Sequence, residues 1–216
     1  MTSQAIQCWS CGKERAATDA LCPHCGKVQP VPARNALLED SVADKFAALG
    51  FARSYDLHPI KVEDAFKSLS RKLHPDRFAR ASAQERRFSL EQTTLLNDAY
   101  RTLKDPVQRA EHLLELRGVK MGEGSKVELP PEFLERALED REKLLEAKVG
   151  GGPRAVEVLA REVQGRRDAT LTQIAQQLRA LENGSQADLA PVTQLISQLR
   201  YYARYLDEVE GRPAEP

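Results

Sequence analysis

The chain has 216 residues, enough to bury one moderate core or two small ones. Its 32 basic and 32 acidic residues cancel and aromatics are 6%, which argues against the broad cationic surface of a generic nucleic-acid binder. No apolar run approaches the length of a membrane span, so no membrane partner is expected.

Every cysteine falls in one early pattern, Cys8-Trp9-Ser10-Cys11-Gly12 and Cys22-Pro23-His24-Cys25-Gly26. Two-residue spacing lets both thiolates of a pair reach one ion from a tight turn, and the following glycine lets the backbone curl back toward the sulfurs. Two such turns complete a tetrahedral sulfur site, so Cys8, Cys11, Cys22 and Cys25 are candidate ligands of structural zinc. Iron in the same cage is the alternative metal. Disulfides or a redox thiol pair compete, but the paired-turn form favours metal. Residues 1–30 are therefore expected to be a tetracysteine zinc-ribbon-like module, too short to bury a core and folded largely by its ion. His24 is expected in solvent, and Trp9 against the site or, as the alternative, marking a contact surface. Gln29-Pro30-Val31-Pro32-Ala33-Arg34-Asn35 has the composition of an extended connection, and residues 31–40 form a linker. The opening Met1–Gln7 has neither a signal-peptide nor a presequence pattern, so a bacterial cytoplasm is expected, ahead of a mitochondrial matrix.

A short helix around Val42–Leu49 and the loop 50–57 come next. Val62, Phe66, Leu69 and Leu73 then recur at i, i+4, i+7 and i+11, one face of a helix. Lys67 and Arg71 are a turn apart on another face, as are Ser68 and Lys72, so the basic groups meet solvent. His74-Pro75-Asp76 ends this pattern. Pro75 disfavours helical geometry at His74 and fixes its own backbone angle, which predicts a stiff exposed tip. Ser82-Ala83-Gln84-Glu85 has the form of a capping box. The helix it opens buries a stripe through Phe88, Leu95, Ala99 and Leu103, with Leu96 and Tyr100 beside it. Asp105-Pro106 restarts a helix carrying Ala110, Leu113, Leu114 and Leu116. From Lys61 to Arg80 six bases face three acids, a cationic cluster beside the tip.

Gly118–Ser125 interrupts the helical pattern, and residues 119–129 form a second linker. Leu129-Pro130-Pro131 opens a helix with Phe133, Leu134, Ala137, Leu138, Leu144 and Leu145, broken by Gly150-Gly151-Gly152-Pro153. A long helix follows with Val156, Leu159, Val163, Ile174, Leu178 and Leu181, ending near Asn183-Gly184. The last begins near Asp188 and carries Val192, Leu195, Leu199, Tyr202, Leu206 and Val209. Three helices with short breaks predict an antiparallel bundle over 130–211. From Pro131 to Val149 six acids outnumber four bases, opposite in sign to the tip, which suggests a second partner. The fold class expected is all-α: a helical hairpin and a three-helix bundle behind a small metal-binding module.

His-Pro-Asp between two such helices resembles a J-domain, the module that activates heat-shock chaperone ATPases of the DnaK and HscA type, over about residues 41–118. A J-domain joined to a small helical bundle is similar to the HscB family of iron–sulfur cluster co-chaperones, over about Val42 to Glu210. Phe133-Leu134, Leu138-Glu139-Asp140-Arg141-Glu142 and Leu199-Arg200-Tyr201-Tyr202 carry that likeness. The resemblance implies that His74, Pro75 and Asp76 dock on the chaperone and trigger its ATPase, with Lys67, Arg71, Lys72 and Arg77 steering onto an acidic surface. It also implies that Leu134, Leu138 and Tyr201 form an apolar patch, rimmed by Glu139 and Glu142, for an IscU-type iron–sulfur scaffold protein. Bacterial members often have methionine where this chain has Glu135, and many lack the cysteine module that mitochondrial members carry.

On periodicity alone Leu134 and Leu138 fit a wide core stripe as well as a docking face. Two other functions compete: a general J-type helper for unfolded clients, and a zinc-ribbon nucleic-acid protein using Lys13, Arg15 and Lys27. The cysteine segment is nearly neutral, so no nucleic-acid partner is expected. An enzyme is not expected either, since His24, His58, His74 and His112 make no nucleophile–base arrangement. His58 and His112 are expected at helix termini or on a helix surface.

Overall fold

The structure is a computed structural model that describes residues 5–31, 43–119, 127–182 and 188–212. Most of the 31–40 linker, the glycine-rich stretch from 120 and the Asn183-Gly184 helix end lie outside the described residues. The chain divides into two compact units, Met1–Arg117 and Gly118–Pro216.

In the first unit, β1 (Ala5–Gln7) and β2 (Glu14–Ala16) pair antiparallel, with Ile6 opposite Arg15. Four helices follow: α1 (Lys45–Ala48), α2 (Pro59–Leu73), α3 (Ala83–Lys104) and α4 (Pro106–Glu115). Side-chain pairs run in opposite directions along α2 and α3. Phe66 stacks on Tyr100 with centroids 4.2 Å apart, and Ser89 and Thr93 reach the Leu73 carbonyl. The two are therefore an antiparallel hairpin. Leu73, Leu96, Ala99, Leu103, Leu113 and Leu114 form its core with Phe46 of α1.

Local chemistry sets the boundaries. The Ser82 hydroxyl accepts the Glu85 amide at 3.2 Å, the cap that its motif predicts. Asp105 accepts the amides of Val107 and Gln108 at 2.8 Å, opening α4. Two expectations need correction. The α3 core stripe runs through Leu96, while Leu95 is only half-buried. Gln29 is fully buried rather than part of an extended linker: its carbonyl accepts Gln92 Nε2 at 3.0 Å, since a glutamine pointing inward from α3 needs a partner. His112 sits in the last turn of α4, at a helix end as expected, but in the core rather than on a surface. Its Nε2 accepts the Lys45 amide at 3.1 Å and its ring stacks on Phe46, giving a buried imidazole both polar and apolar contacts.

The second unit holds α5 (Pro131–Glu146), α6 (Gly152–Glu182) and α7 (Ala190–Val209). The run Gly150-Gly151-Gly152-Pro153 predicts a break in the helical chain. The break falls at Gly152: Ala147–Gly151 form a π-helical turn, and the chain reverses at Gly152, at φ 69° and ψ 175°, a region open essentially to glycine. Asp140 pairs with Arg166 at 2.9 Å across this turn, so α5 and α6 are antiparallel. Contacts advance together along α5 and α7, from Tyr201 to Ala137 and from Lys148 to Glu208, so those two are parallel. Leu144, Val163, Ile174, Leu178, Val192, Ile196 and Leu199 fill the bundle. No helix among the described residues is long and apolar enough to cross a membrane.

Candidate functional sites: tip, cysteine cage and the exposed face of α5

Leu73 ends α2, and its carbonyl has no helical partner. The Ser89 and Thr93 hydroxyls of α3 donate to it at 2.7 and 3.1 Å. His74 then turns to φ −54°, ψ 130°, the extended geometry that a following proline favours. Pro75–Phe78 form one 3-10 turn whose Asp76 amide donates to His74 Nδ1 at 3.3 Å. His74 and Asp76 are exposed, and Pro75 is half-buried. Here the imidazole orients the corner. Lys67 is held by Glu63 at 2.6 Å, whereas Arg71, Lys72 and Arg77 near the tip have no carboxylate partner among the described residues. Nothing in the sequence pattern singles out Ser89 and Thr93. Their spacing marks a face of α3, but only the folded hairpin brings them to Leu73.

The four cysteine sulfurs lie within 4.8 Å of one another. Cys8 and Cys25 are 3.7 Å apart and Cys11 and Cys22 3.8 Å, nearly twice a disulfide bond. A tetrahedral ion with metal–sulfur bonds of about 2.3 Å has edges of about 3.8 Å, so the donor set fits. Each knuckle closes alike: Gly12 donates to Cys8 and Gly26 to Cys22, both glycines at φ near +70°. The Ser10 amide and Gln29 Nε2 donate to the Cys8 sulfur at 3.4 and 3.3 Å. Burial works to raise the Cys8 thiol, but the Cys11 and Ser10 amides and neighbouring sulfurs outweigh it and bring it to about 6. Although the Lys27 amide favours its thiolate, burial and three sulfur neighbours push Cys25 up to about 11. Sulfurs crowded in this way deprotonate together only around a cation. His24 is exposed.

The module docks on α3. Trp9 Nε1 donates to the Val28 carbonyl at 2.8 Å, and its ring meets Phe88 edge-on at 5.8 Å. Lys27 pairs with Glu85 at 3.0 Å and holds that carboxyl below its ordinary range. Trp9 therefore belongs to a contact with the helical hairpin as much as to the cage.

On α5, Leu134 is 48% and Leu138 67% exposed, while Leu144 is fully buried. The core takes the adjoining face through Phe133, Ala137, Asp140 and Leu144, about a quarter-turn away, and the stripe stays outside. Tyr201 is half-buried beside it: its hydroxyl donates to the Ala137 carbonyl at 2.6 Å, and its ring meets Phe133 edge-on. Glu139 and Glu142 are exposed, Glu139 with Lys143 at 3.4 Å. Leu145 and Val149 continue the apolar strip, which periodicity does not separate from the core.

A helical hairpin with an exposed His-Pro-Asp corner, followed in the chain by a three-helix unit, defines a J-domain co-chaperone. The sequence profile of the HSCB C-terminal oligomerisation domain matches residues 129–210. The chain is 34% identical to the co-chaperone protein HscB homolog of Shewanella halifaxensis, over 76% of this chain and 93% of that one. It is 29% identical to the iron-sulfur cluster co-chaperone protein HscB of Mus musculus, over 96% of this chain and 83% of the other. The crystal structure of human co-chaperone protein HscB superposes with a TM-score of 0.76 at 26% identity, covering 95% of this chain and 97% of that one. The chain belongs to the HscB family of co-chaperones.

Proposed function

We propose that this protein is a non-enzymatic adaptor that carries an IscU-type iron–sulfur scaffold protein to an HscA- or DnaK-type chaperone and stimulates that chaperone's ATPase. His74, Pro75 and Asp76 act on the chaperone, with Asp76 pairing to an arginine and Arg71, Lys72 and Arg77 steering the encounter. Leu134, Leu138 and Tyr201 hold the scaffold, with Glu139 and Glu142 at the edge. Cys8, Cys11, Cys22 and Cys25 hold zinc, whose closed sulfur shell is structural. The observation that carries this reading is the pair of leucines left in solvent beside the packed face of α5, in a chain that also exposes His74 and Asp76.

Two variants test it with purified chaperone and scaffold. Asp76→Asn should lose ATPase stimulation and keep scaffold binding; Leu138→Ser should do the reverse. If Asp76→Asn stimulates like the wild type, the tip is not the effector. General binding of denatured chains, undiminished in Leu138→Ser, would favour a folding helper instead.

A further inference from the structure

Along α5, positions 134, 138, 141 and 145 fall within a narrow arc at about 100° per residue, so Arg141 interrupts the exposed leucine strip. Glu135, Glu139, Glu142 and Glu146 fall together on one flank of that strip and all are exposed. Arg141 lies toward the other flank, where α7 is. There it lines a groove of about 450 Å³ with Tyr201, Tyr205, Arg204, Glu208 and Arg212.

The charges around this groove are not balanced. Glu208, its one acid, is engaged by Lys148 at 3.4 Å, and Arg212 is engaged by Asp207 and Glu210. Among the described residues, Arg141 and Arg204 have no hydrogen-bond or ion-pair partner, and both are exposed. Two such guanidinium groups beside a third, in a groove also lined by two tyrosines, form a receptor for an anion. Tyr201 belongs to both features: it borders the leucine strip and lines the groove. The two are one continuous surface with an apolar centre, an acidic flank and a cationic recess.

We propose that the Arg141–Arg204 groove receives an acidic side chain of the protein partner that docks on Leu134 and Leu138. This rests on reading the α5 face as the scaffold-binding surface, and it adds a specificity contact of opposite sign to the glutamate rim. The occupant is a single carboxylate on a folded protein, not a polyanion. Four glutamates across the strip repel an extended phosphate backbone or an anionic bilayer, whereas one carboxylate meets both guanidinium groups without approaching them. A partner that fits offers basic groups to the glutamate flank, apolar residues to the leucines and an acid to the recess. That polarity sets its orientation.

The test is isothermal titration of the full chain with the IscU-type scaffold protein at low and physiological salt. Arg204→Glu and Arg141→Glu should each weaken binding on the order of tenfold and flatten its salt dependence, while Arg204→Lys stays near wild type. Thermal melts of each variant check the fold, with Arg204→Gln as the milder substitution. A lysine replacing one scaffold acid should restore binding to Arg204→Glu. Unchanged affinity in both reversals, alongside a weakened Leu138→Ala, overturns the groove and leaves the α5 face standing. Unchanged affinity in Leu138→Ala, or no binding by wild type, overturns the face itself. Binding of an oligonucleotide or of anionic vesicles that the same reversals abolish would overturn the carboxylate in favour of a polyanion.

Discussion

The hydroxyl of Ser89 donates to the carbonyl of Leu73 over 2.7 Å, tying the last turn of α2 to the second turn of α3 one residue before the tripeptide. Ser89 is fully buried and Leu73 nearly so, which makes this bond the anchor of the corner. Ser89→Ala leaves the carbonyl with Thr93 alone, at 3.1 Å, and should cost about 1 kcal/mol of stability. Chaperone ATPase stimulation should fall by more than that loss explains, because the corner becomes less defined. Denaturant melts and ATPase titrations of the same variant check both.

Removing the metal should destabilise the whole first unit, not only the cysteine knuckles. Lys27, Gln29 and Trp9 bring the module's contacts onto Glu85, Gln92 and Phe88 of α3. A strong chelator should therefore lower the melting temperature of the helical hairpin, read by hydrogen exchange along α3. Trp9→Ala should cost about 1–2 kcal/mol with the ion retained, since it loses both the Val28 bond and the ring contact. Elemental analysis of the purified chain should find zinc rather than iron.

His112 makes stability fall in mild acid. Burial lowers its pKa below 6.5, with Lys45 in the same direction, while Glu115 and Asp44 oppose them. The unfolded chain then takes up the proton first, so stability is complete above pH 6.5 and declines below it, by at most about 1.4 kcal/mol per pH unit. His112→Gln, which can still accept the Lys45 amide, should start less stable and show a flatter dependence between about pH 6.5 and 5.5. Melting temperatures across that range decide it, and equal slopes would sink the assignment.

Arg109 is buried yet pairs with no carboxylate among the described residues. Its guanidinium donates to the carbonyls of Leu103 and Tyr55, both at 2.8 Å, and lies over the Tyr55 ring. Arg109→Met takes the guanidinium from the Leu103 carbonyl and leaves the Tyr55 carbonyl with the Leu57 amide alone, and should cost about 1–3 kcal/mol, seen as a lower denaturant midpoint. Arg109→Lys should rescue little, because one ammonium cannot span both oxygens.

Wherever the signal was local, the sequence disclosed it. Ser82 and Glu85 announced a helix start, Pro75 a corner, and the paired cysteines with their glycines a sulfur cage. Interactions between distant segments were not legible. Gln29 looks like linker because nothing nearby reveals Gln92, and the burial of His112 at its helix end is hidden because the Lys45 amide it serves lies far up the chain. The leucines of α5 were ambiguous for another reason. Leu134 and Leu138 are four residues apart, as are Phe133 and Ala137 on the adjoining face, and only the placement of α7, with Tyr201 bonded to Ala137, decides which face is covered. The groove at Arg141 stayed hidden because two of its three guanidinium groups come from the far end of the chain.

Between α5 and α6 there is no spare residue: helix, π-helical turn and helix follow one another from Pro131 to Glu182, with the reversal carried by Gly152. Adding or deleting one position there would spin one helix by about 100° against the other. Leu138 would swing away from the surface it now occupies, and Asp140 away from Arg166. Changes of length in this half of the molecule are therefore tolerated only outside that joint, which acts as a ruler for everything mounted on α5.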